Sequence, residues 1–181
     1  MPETQNSGHQ AVLSVNVDVA NVSVDSIERL LSVLPRFGHP LVLRAFADYR
    51  REDLAEYSVR LFREGFSLVH CPSWPNGDSR LKSVVDDVLA QDLRDQAEEI
   101  PEIDTFVLVT GDRNFIAVAN ALKRRGKRVI VAAEETSANR ELRAVAHEYI
   151  ELLPAAADRS SLLQRARAVQ AASEAPMTLR D

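Results

Sequence analysis

The sequence predicts an α/β fold in which helices cover both faces of a mostly parallel sheet. Apolar runs of strand length alternate with segments of helical periodicity along most of the 181-residue chain. The runs are largely unbroken by polar residues, as is typical of strands that are buried on both faces. No self-similarity recurs at a fixed period, which argues against a repeat architecture. The length is that of about one domain.

The predicted strands follow the apolar runs. They cover residues 11–17, 41–46, 66–70, 106–109, 128–133 and 149–153. The predicted helices take the segments between them, at about 26–34, 52–63, 79–96, 114–125 and 138–146. Asp25 is a candidate cap for the first helix, and Pro35 and Gly65 end the first and second helices.

Composition divides the chain into three parts. Residues 1–10 are polar and predict a flexible N-terminus, and residues 11–153 form the α/β domain. After Pro154 the composition shifts to Ala, Arg, Ser and Gln, so residues 154–181 predict a C-terminal helix at 157–172 and a tail. The apolar stripe of that helix fits packing on the domain, and it fits docking of a protein partner.

Charge and cysteine content exclude several classes of protein. The chain has 22 basic and 27 acidic residues, so its net charge of −5 argues against coating of duplex DNA. The single cysteine, Cys71, excludes a disulfide framework or a multi-cysteine zinc site within one chain. No apolar run approaches the ~20 residues of a membrane helix, and the polar N-terminus does not resemble a signal peptide. We therefore expect a cytoplasmic protein with no membrane contact.

Polar side chains follow two of the predicted strands, where each strand ends. Asp18 ends the first strand and is followed by Asn21, and "TGD" ends the fourth strand at Asp112, with Asn114 just beyond. Ligands of open parallel sheets bind at the carboxyl ends of the strands, so these groups can share a hard cation. Taken singly, each aspartate is better explained as the cap of a following turn.

The predicted helix at 79–96 adds further carboxylates. Asp92 falls within its apolar stripe of Leu81, Val84, Val85, Val88 and Leu89, and therefore points inward. An inward carboxylate must be hydrogen-bonded or bound to a cation, and the pattern favours a structural hydrogen-bonding role. Asp86 and Asp87 flank the stripe on opposite sides, and the helical periodicity does not choose between them.

Four segments, taken in order, resemble the NYN domain of the PIN-like nuclease superfamily, in the branch of the LabA-like bacterial proteins. They are "VNVDVAN" (15–21), "LKSVVDDVLAQD" (81–92), "FVLVTGDRNF" (106–115) and "GKRVIVAAEETSANRELRAVAHEYIEL" (126–152). The resemblance covers residues 11–153. It implies a Rossmann-like three-layer sandwich with an acidic pocket that binds Mg²⁺ or Mn²⁺ and cleaves RNA.

The resemblance also implies roles for particular residues. The family motif Lys-x-x-x-Asp-x5-Asp selects Asp86 over Asp87, so the implied catalytic and metal-binding residues are Asp18, Asp86 and Asp112. The implied supporting residues are Asn21, Asp92, Thr110 and Asn114.

Three positions depart from the family pattern. Asn114 stands where the family usually has Asp, Ser83 where it often has Asn, and His147 where an Asp precedes the last strand. An asparagine can offer an amide oxygen but carries no negative charge. We therefore expect weaker metal binding at this site, with one ion rather than two.

Substrate contacts are expected from the rim of the pocket. The candidates are Arg80, Lys82 and Arg113, together with Trp74, which can stack on an unpaired base. The basic run "KRRGKR" (123–128) is a further candidate. Alternatively the run complements the dipole at a helix end, and Trp74 packs under its own loop.

These observations favour a metal-dependent endoribonuclease with RNA as its substrate. The alternative is a catalytically weakened module that binds RNA or a protein partner. Phosphotransfer on an aspartate is disfavoured, because it would want an adjacent acidic pair at one strand end and a lysine after a later strand. Self-association as a homodimer is left open.

Overall fold

A computed structural model describes residues 10–72, 82–135 and 137–152. The strands are β1 (Val12–Asp18), β2 (His39–Ala47), β3 (Ser67–His70), β4 (Thr105–Val109), β5 (Arg128–Glu134) and β6 (Glu148–Leu152). The helices are α1 (Val24–Val33), α2 (Ala55–Arg63), α3 (Lys82–Glu99), α4 (Ile116–Arg124) and α5 (Arg140–Val145). The predicted helix at 157–172 and the start of the chain lie outside these ranges. No helix in the described ranges is long and apolar enough to cross a membrane.

The six strands form one parallel sheet in the order β3-β2-β1-β4-β5-β6. This arrangement confirms the predicted parallel α/β fold and its Rossmann-like topology. The chain first runs outward from β1 to β3 and then returns to the other side of β1 at β4. Crevices for ligands form where the strand order reverses in this way, outside the carboxyl ends of the strands. The topology therefore predicts a ligand site at the ends of β1 and β4.

Two apolar layers hold the sheet. On one face α1 and α2 contribute buried side chains such as Ile27 and Leu61, and on the other α3, α4 and α5 contribute side chains such as Leu93 and Leu122. Burial of each such leucine or isoleucine stabilises the fold by about 1.5–3 kcal/mol. These two layers therefore supply much of the stability of the fold.

A polar seam joins α3 to β1 and β2 within the second layer. Ser14 donates a hydrogen bond to Gln96, whose side-chain amide donates to Asn16 (3.0 Å) and to Asp92. Asp92 is also paired with Arg44 of β2. The carboxylate of Asp92 is thus held by an amide and a guanidinium, which is the structural role that the residue pattern favoured.

Several helix starts differ from the prediction. Ser23, not Asp25, caps α1: Ser23 has an extended backbone, and its hydroxyl accepts from the N–H of Ser26 (3.3 Å). Asp25 lies in the first turn and pairs with Arg60. Helices α2 and α4 begin later than predicted, because 3-10 turns precede them at Glu52–Leu54 and Arg113–Phe115.

Candidate active site

Asp18 lies at the carboxyl end of β1 and is only 2 % exposed. Its Oδ1 accepts from the N–H of Ala20 (3.3 Å), and its Oδ2 accepts from the side-chain amide of Asn21. Burial raises the pKa of Asp18 to about 6; the Asn21 bond opposes this shift and the charge of Asp86 adds to it. Asp18 therefore caps the following turn, as one interpretation of the sequence held, and also lies in the electrostatic field of a second carboxylate.

Thr110 connects the ends of β1 and β4. Its hydroxyl makes a long hydrogen bond to Asp18 Oδ2 (3.4 Å) and accepts from the N–H of Asp112 (3.2 Å). Asp112 Oδ1 in turn accepts from the N–H of Asn114 (2.9 Å), so Asp112 also caps a 3-10 turn. The structure thus links the two strand ends through a buried hydroxyl.

Gly111 allows the loop after β5 to approach the end of β4. A Cβ at Gly111 would lie 1.9 Å from the carbonyl oxygen of Ser137. The carbonyl of Gly111 accepts from the N–H of Asn139 (3.1 Å), which caps α5. The glycine is required by this close approach, because even the smallest side chain would overlap the neighbouring backbone.

Helix α3 brings Asp86 to the same site. Asp86 Oδ2 accepts a hydrogen bond from the side-chain amide of Asn114 (2.8 Å), and Asp86 is half-buried while Asp87 is exposed. The charge of Asp86 also contributes to the raised pKa of Asp18, at the end of β1. Of the two neighbouring aspartates that the helical pattern could not separate, the structure directs Asp86 to the strand ends.

The chemistry of these donors fits a divalent cation with oxygen ligands. Asp18 and Asp86 repel each other, and a cation between them would relieve that repulsion. Within the described ranges, however, no three His, Cys, Asp or Glu side chains are grouped closely enough to hold a metal ion. A cation here would take fewer than three of these groups directly and keep several waters, as Mg²⁺ usually does. Asp112 is then suited to act through water.

Sequence reasoning missed Asp48, which follows β2. It is 9 % exposed, and its carboxylate accepts from Arg50 Nε (2.9 Å) and Nη2 (2.8 Å). Burial, with added effects of Asp18 and Asp48, raises the pKa of the Cys71 thiol to about 11, so the thiol lies in the field of both carboxylates. The strand-end rule would have found Asp48 if the second predicted strand had not ended at Phe46.

Glu134 ends β5, but its side chain contacts the start of α1, on the face of the sheet opposite to α3. Its carboxylate accepts from the N–H of Ser23 (2.9 Å) and from the hydroxyl of Ser26 (2.7 Å). These contacts place a negative charge at the N-terminus of α1, where the helix dipole favours it. Glu134 is thus a stabilising residue of α1.

Of the expected rim residues, only Arg113 has a described side chain. Arg113 is exposed and lies between Asp112 and Asn114. Arg80 and Trp74 lie outside the described ranges, and Lys82 is the first residue of α3.

The basic run at 123–128 was a candidate substrate contact. The structure places it away from the strand ends that carry Asp18 and Asp112. It joins the end of α4 to the start of β5, at the opposite edge of the sheet. Lys123 donates to the carbonyl of Val145 (2.6 Å), and Lys127 donates to that of Ile103 (2.6 Å). Arg128 pairs with Glu148. The run therefore stabilises the amino-terminal edge of the sheet, through contacts with other elements in addition to its place at a helix end.

His147, one of the positions where the sequence departs from the pattern it resembles, belongs to that same edge. Its Nδ1 accepts from the N–H of Val129 (2.9 Å), and the backbone N–H of His147 donates to the carbonyl of Val129 (2.8 Å). The imidazole thus fastens the start of β6 to the start of β5, far from the strand ends that carry Asp18 and Asp112.

The fold and the site define an α/β protein with acidic side chains at the switch point of a parallel sheet. The sequence profile of the NYN domain matches residues 12–153, so the chain belongs to this nuclease-like family. It is also similar to the crystal structure of a protein of unknown function from Vibrio parahaemolyticus RIMD 2210633. The TM-score is 0.67 at 21 % identity, over 81 % of this chain and 95 % of that one, and the likeness concerns the fold. No functionally curated protein matches the chain.

Proposed function

We propose that the protein is a Mg²⁺- or Mn²⁺-dependent endoribonuclease. The observation that carries the proposal is the buried carboxylate of Asp18, which lies at the switch point in the field of Asp86 and is bonded to Thr110. Repelling carboxylates in a crevice are costly to a folded protein, and they are typical of sites that bind a cation. Membership of the nuclease-like NYN family supports RNA as the substrate.

Each side chain of the pocket has a role in this proposal. Asp18 and Asp86 hold the cation, which when bound lowers the pKa of a water and neutralises charge on the phosphate. Asn21 and Thr110 orient Asp18 by donating to it. Asp112 accepts from a water at the edge of the pocket, and the exposed guanidinium of Arg113 binds a flanking phosphate.

The alternative is a module that binds RNA or a protein partner without cleaving it. The specific observation in its favour is that no three acidic or metal-binding side chains are grouped for a metal in the part of the chain that the structure describes. Asn114, which supplies no negative charge, points in the same direction.

Cleavage of a labelled single-stranded RNA in Mn²⁺ or Mg²⁺ tests the proposal. We expect Asp18→Asn and Asp86→Asn to lose about 100-fold or more of the activity, because even residues around metal ligands cost 10–100-fold when replaced. Asp112→Asn is expected to lose a smaller factor. Asp87→Asn is the matched control, because it is the same change at the exposed neighbour of Asp86.

Two results would overturn the nuclease proposal. One is activity that survives both Asp18→Asn and Asp86→Asn, and the other is activity that is unaffected by a chelator. If no RNA is cleaved, but calorimetry detects Mn²⁺ binding that Asp18→Asn abolishes, the pocket serves the binding role of the alternative.

A further inference from the structure

Asn114 links carboxylates from two different elements. Its side-chain amide donates to Asp86 Oδ2 on α3 (2.8 Å), and its backbone N–H donates to Asp112 Oδ1 after β4 (2.9 Å). Asn114 itself is in the 3-10 turn Arg113–Phe115, between β4 and α4. One residue thus connects the helix that carries Asp86 to the strand end that carries Asp112.

We propose that Asn114 is a positioning residue, which holds Asp86 at the strand ends without the help of a cation. The inference rests on the proposed function, since the role of Asp86 as a ligand belongs to it. The donor is neutral, so Asp86 keeps its negative charge while its orientation is fixed. The pocket is therefore assembled before a metal arrives, and its charge is lower than it would be with a carboxylate at this position.

An aspartate at position 114 would reverse this interaction. It has no N–H to donate, and its carboxylate would face that of Asp86 at hydrogen-bonding distance, where like charges repel. The repulsion would have to be relieved by a cation, by protonation or by movement of α3. The Asn114→Asp variant is thus expected to depend on metal for the stability of this region more strongly than the natural protein does.

Thermal melting in a chelator tests the proposal without reference to activity. We expect Asn114→Asp to lower the melting temperature by about 3–6 °C. The contact is solvent-accessible, which keeps the effect modest. Asn120→Asp on α4 is the matched control, because it adds the same charge on the neighbouring helix and is expected to change the melting temperature by less than about 1 °C.

A reciprocal exchange makes the test specific to the Asp86 contact. In the double variant Asp86→Asn with Asn114→Asp, the donor and the acceptor change places and the hydrogen bond is restored. We expect the double variant to melt several degrees above Asn114→Asp alone, and this gain to exceed the change that Asp86→Asn by itself causes in the natural protein, because removal of the Asp86 charge also relieves its repulsion with Asp18. A general structural role of Asn114 would not give this rescue, because it does not depend on the residue at position 86.

The outcomes separate this inference from the proposed function. If Asn114→Asp melts like the natural protein in chelator, or if the exchange gives no rescue, the positioning role is overturned. Mn²⁺ titration tests whether the pocket binds a metal. Asn114→Asp should bind Mn²⁺ about tenfold more tightly than the natural protein, since affinity follows ligand charge. If the exchange rescues stability but neither protein binds Mn²⁺ or cleaves RNA, Asn114 positions Asp86 and the nuclease proposal fails.

Discussion

At the scale of single residues, Asp18 combines a structural and a chemical role. Its Oδ1 caps the turn after β1, and its Oδ2 accepts from Asn21 and Thr110. These bonds only partly offset the cost of burial, so its pKa stays raised, at about 6. The ionised form therefore destabilises the metal-free fold at neutral pH.

The raised pKa of Asp18 predicts how the stability of the metal-free protein depends on pH. The pKa of Asp18 rises from 3.8 to about 6 on folding, so the stabilising contribution of the protonated form is lost as pH rises through 6. The loss is at most about 3 kcal/mol. We expect metal-free Asp18→Asn to melt above the natural protein at pH 7.5, and the difference to narrow at pH 5. Melting curves in chelator measure this, and a lower melting temperature for Asp18→Asn at pH 7.5 would contradict it.

At the scale of elements, the polar seam sets the position of α3 and therefore of Asp86. Gln96 is 2 % exposed and bonds to Ser14, Asn16 and Asp92. An apolar contact would allow small shifts along the helix, whereas these bonds are satisfied in one register only. The seam thus links the core of the domain to the candidate site.

Removal of the Gln96 side chain is expected to test the seam. Gln96→Ala leaves buried partners on β1 unsatisfied, so we expect a loss of about 1–3 kcal/mol. Chemical denaturation measures this loss. The control is Gln91→Ala on the same helix, whose exposed side chain bonds only to Asp95 among the described residues. Equal effects of the two changes would show that the seam contributes little.

The sequence predicted the elements well where apolar runs are long, and less well at their ends. All six strands were found, because each run fills a buried strand. The helix starts were shifted by Ser23 and by the 3-10 turns, since several polar residues there can cap equally well. The same uncertainty concealed Asp48: β2 continues to Ala47, beyond the predicted end at Phe46, so Asp48 was not recognised as a strand-end carboxylate.

Candidate site residues were predictable where a strand end and a family motif coincide. Asp18, Thr110 and Asp112 meet both conditions, and the structure links them. Asp86 required the motif, because helical periodicity alone could not separate it from Asp87. The contact between Asn114 and Asp86 was not predictable from sequence, since it depends on how closely α3 approaches the turn before α4.

At the scale of the whole molecule, cation binding should stabilise the domain. A ligand present at 100 times its dissociation constant adds about 2.7 kcal/mol to the stability of the protein that binds it. We expect Mn²⁺ to raise the melting temperature at pH 7.5, and to raise it less at pH 5, where Asp18 is largely protonated. The control is Asp18→Asn, which should show no Mn²⁺-dependent shift. An equal shift in both proteins would place the ion elsewhere.

The contact between Gly111 and Ser137 has a consequence for anyone who wishes to transplant this pocket. The ends of β1 and β4 do not form the site by themselves, because the backbone of the loop after β5 packs directly against the end of β4. A design that grafts the aspartates onto another Rossmann scaffold must import that loop at its native length. Without it, the hydrogen bond from the N–H of Asn139 to the carbonyl of Gly111 is lost, and with it a contact that holds the backbone next to Asp112.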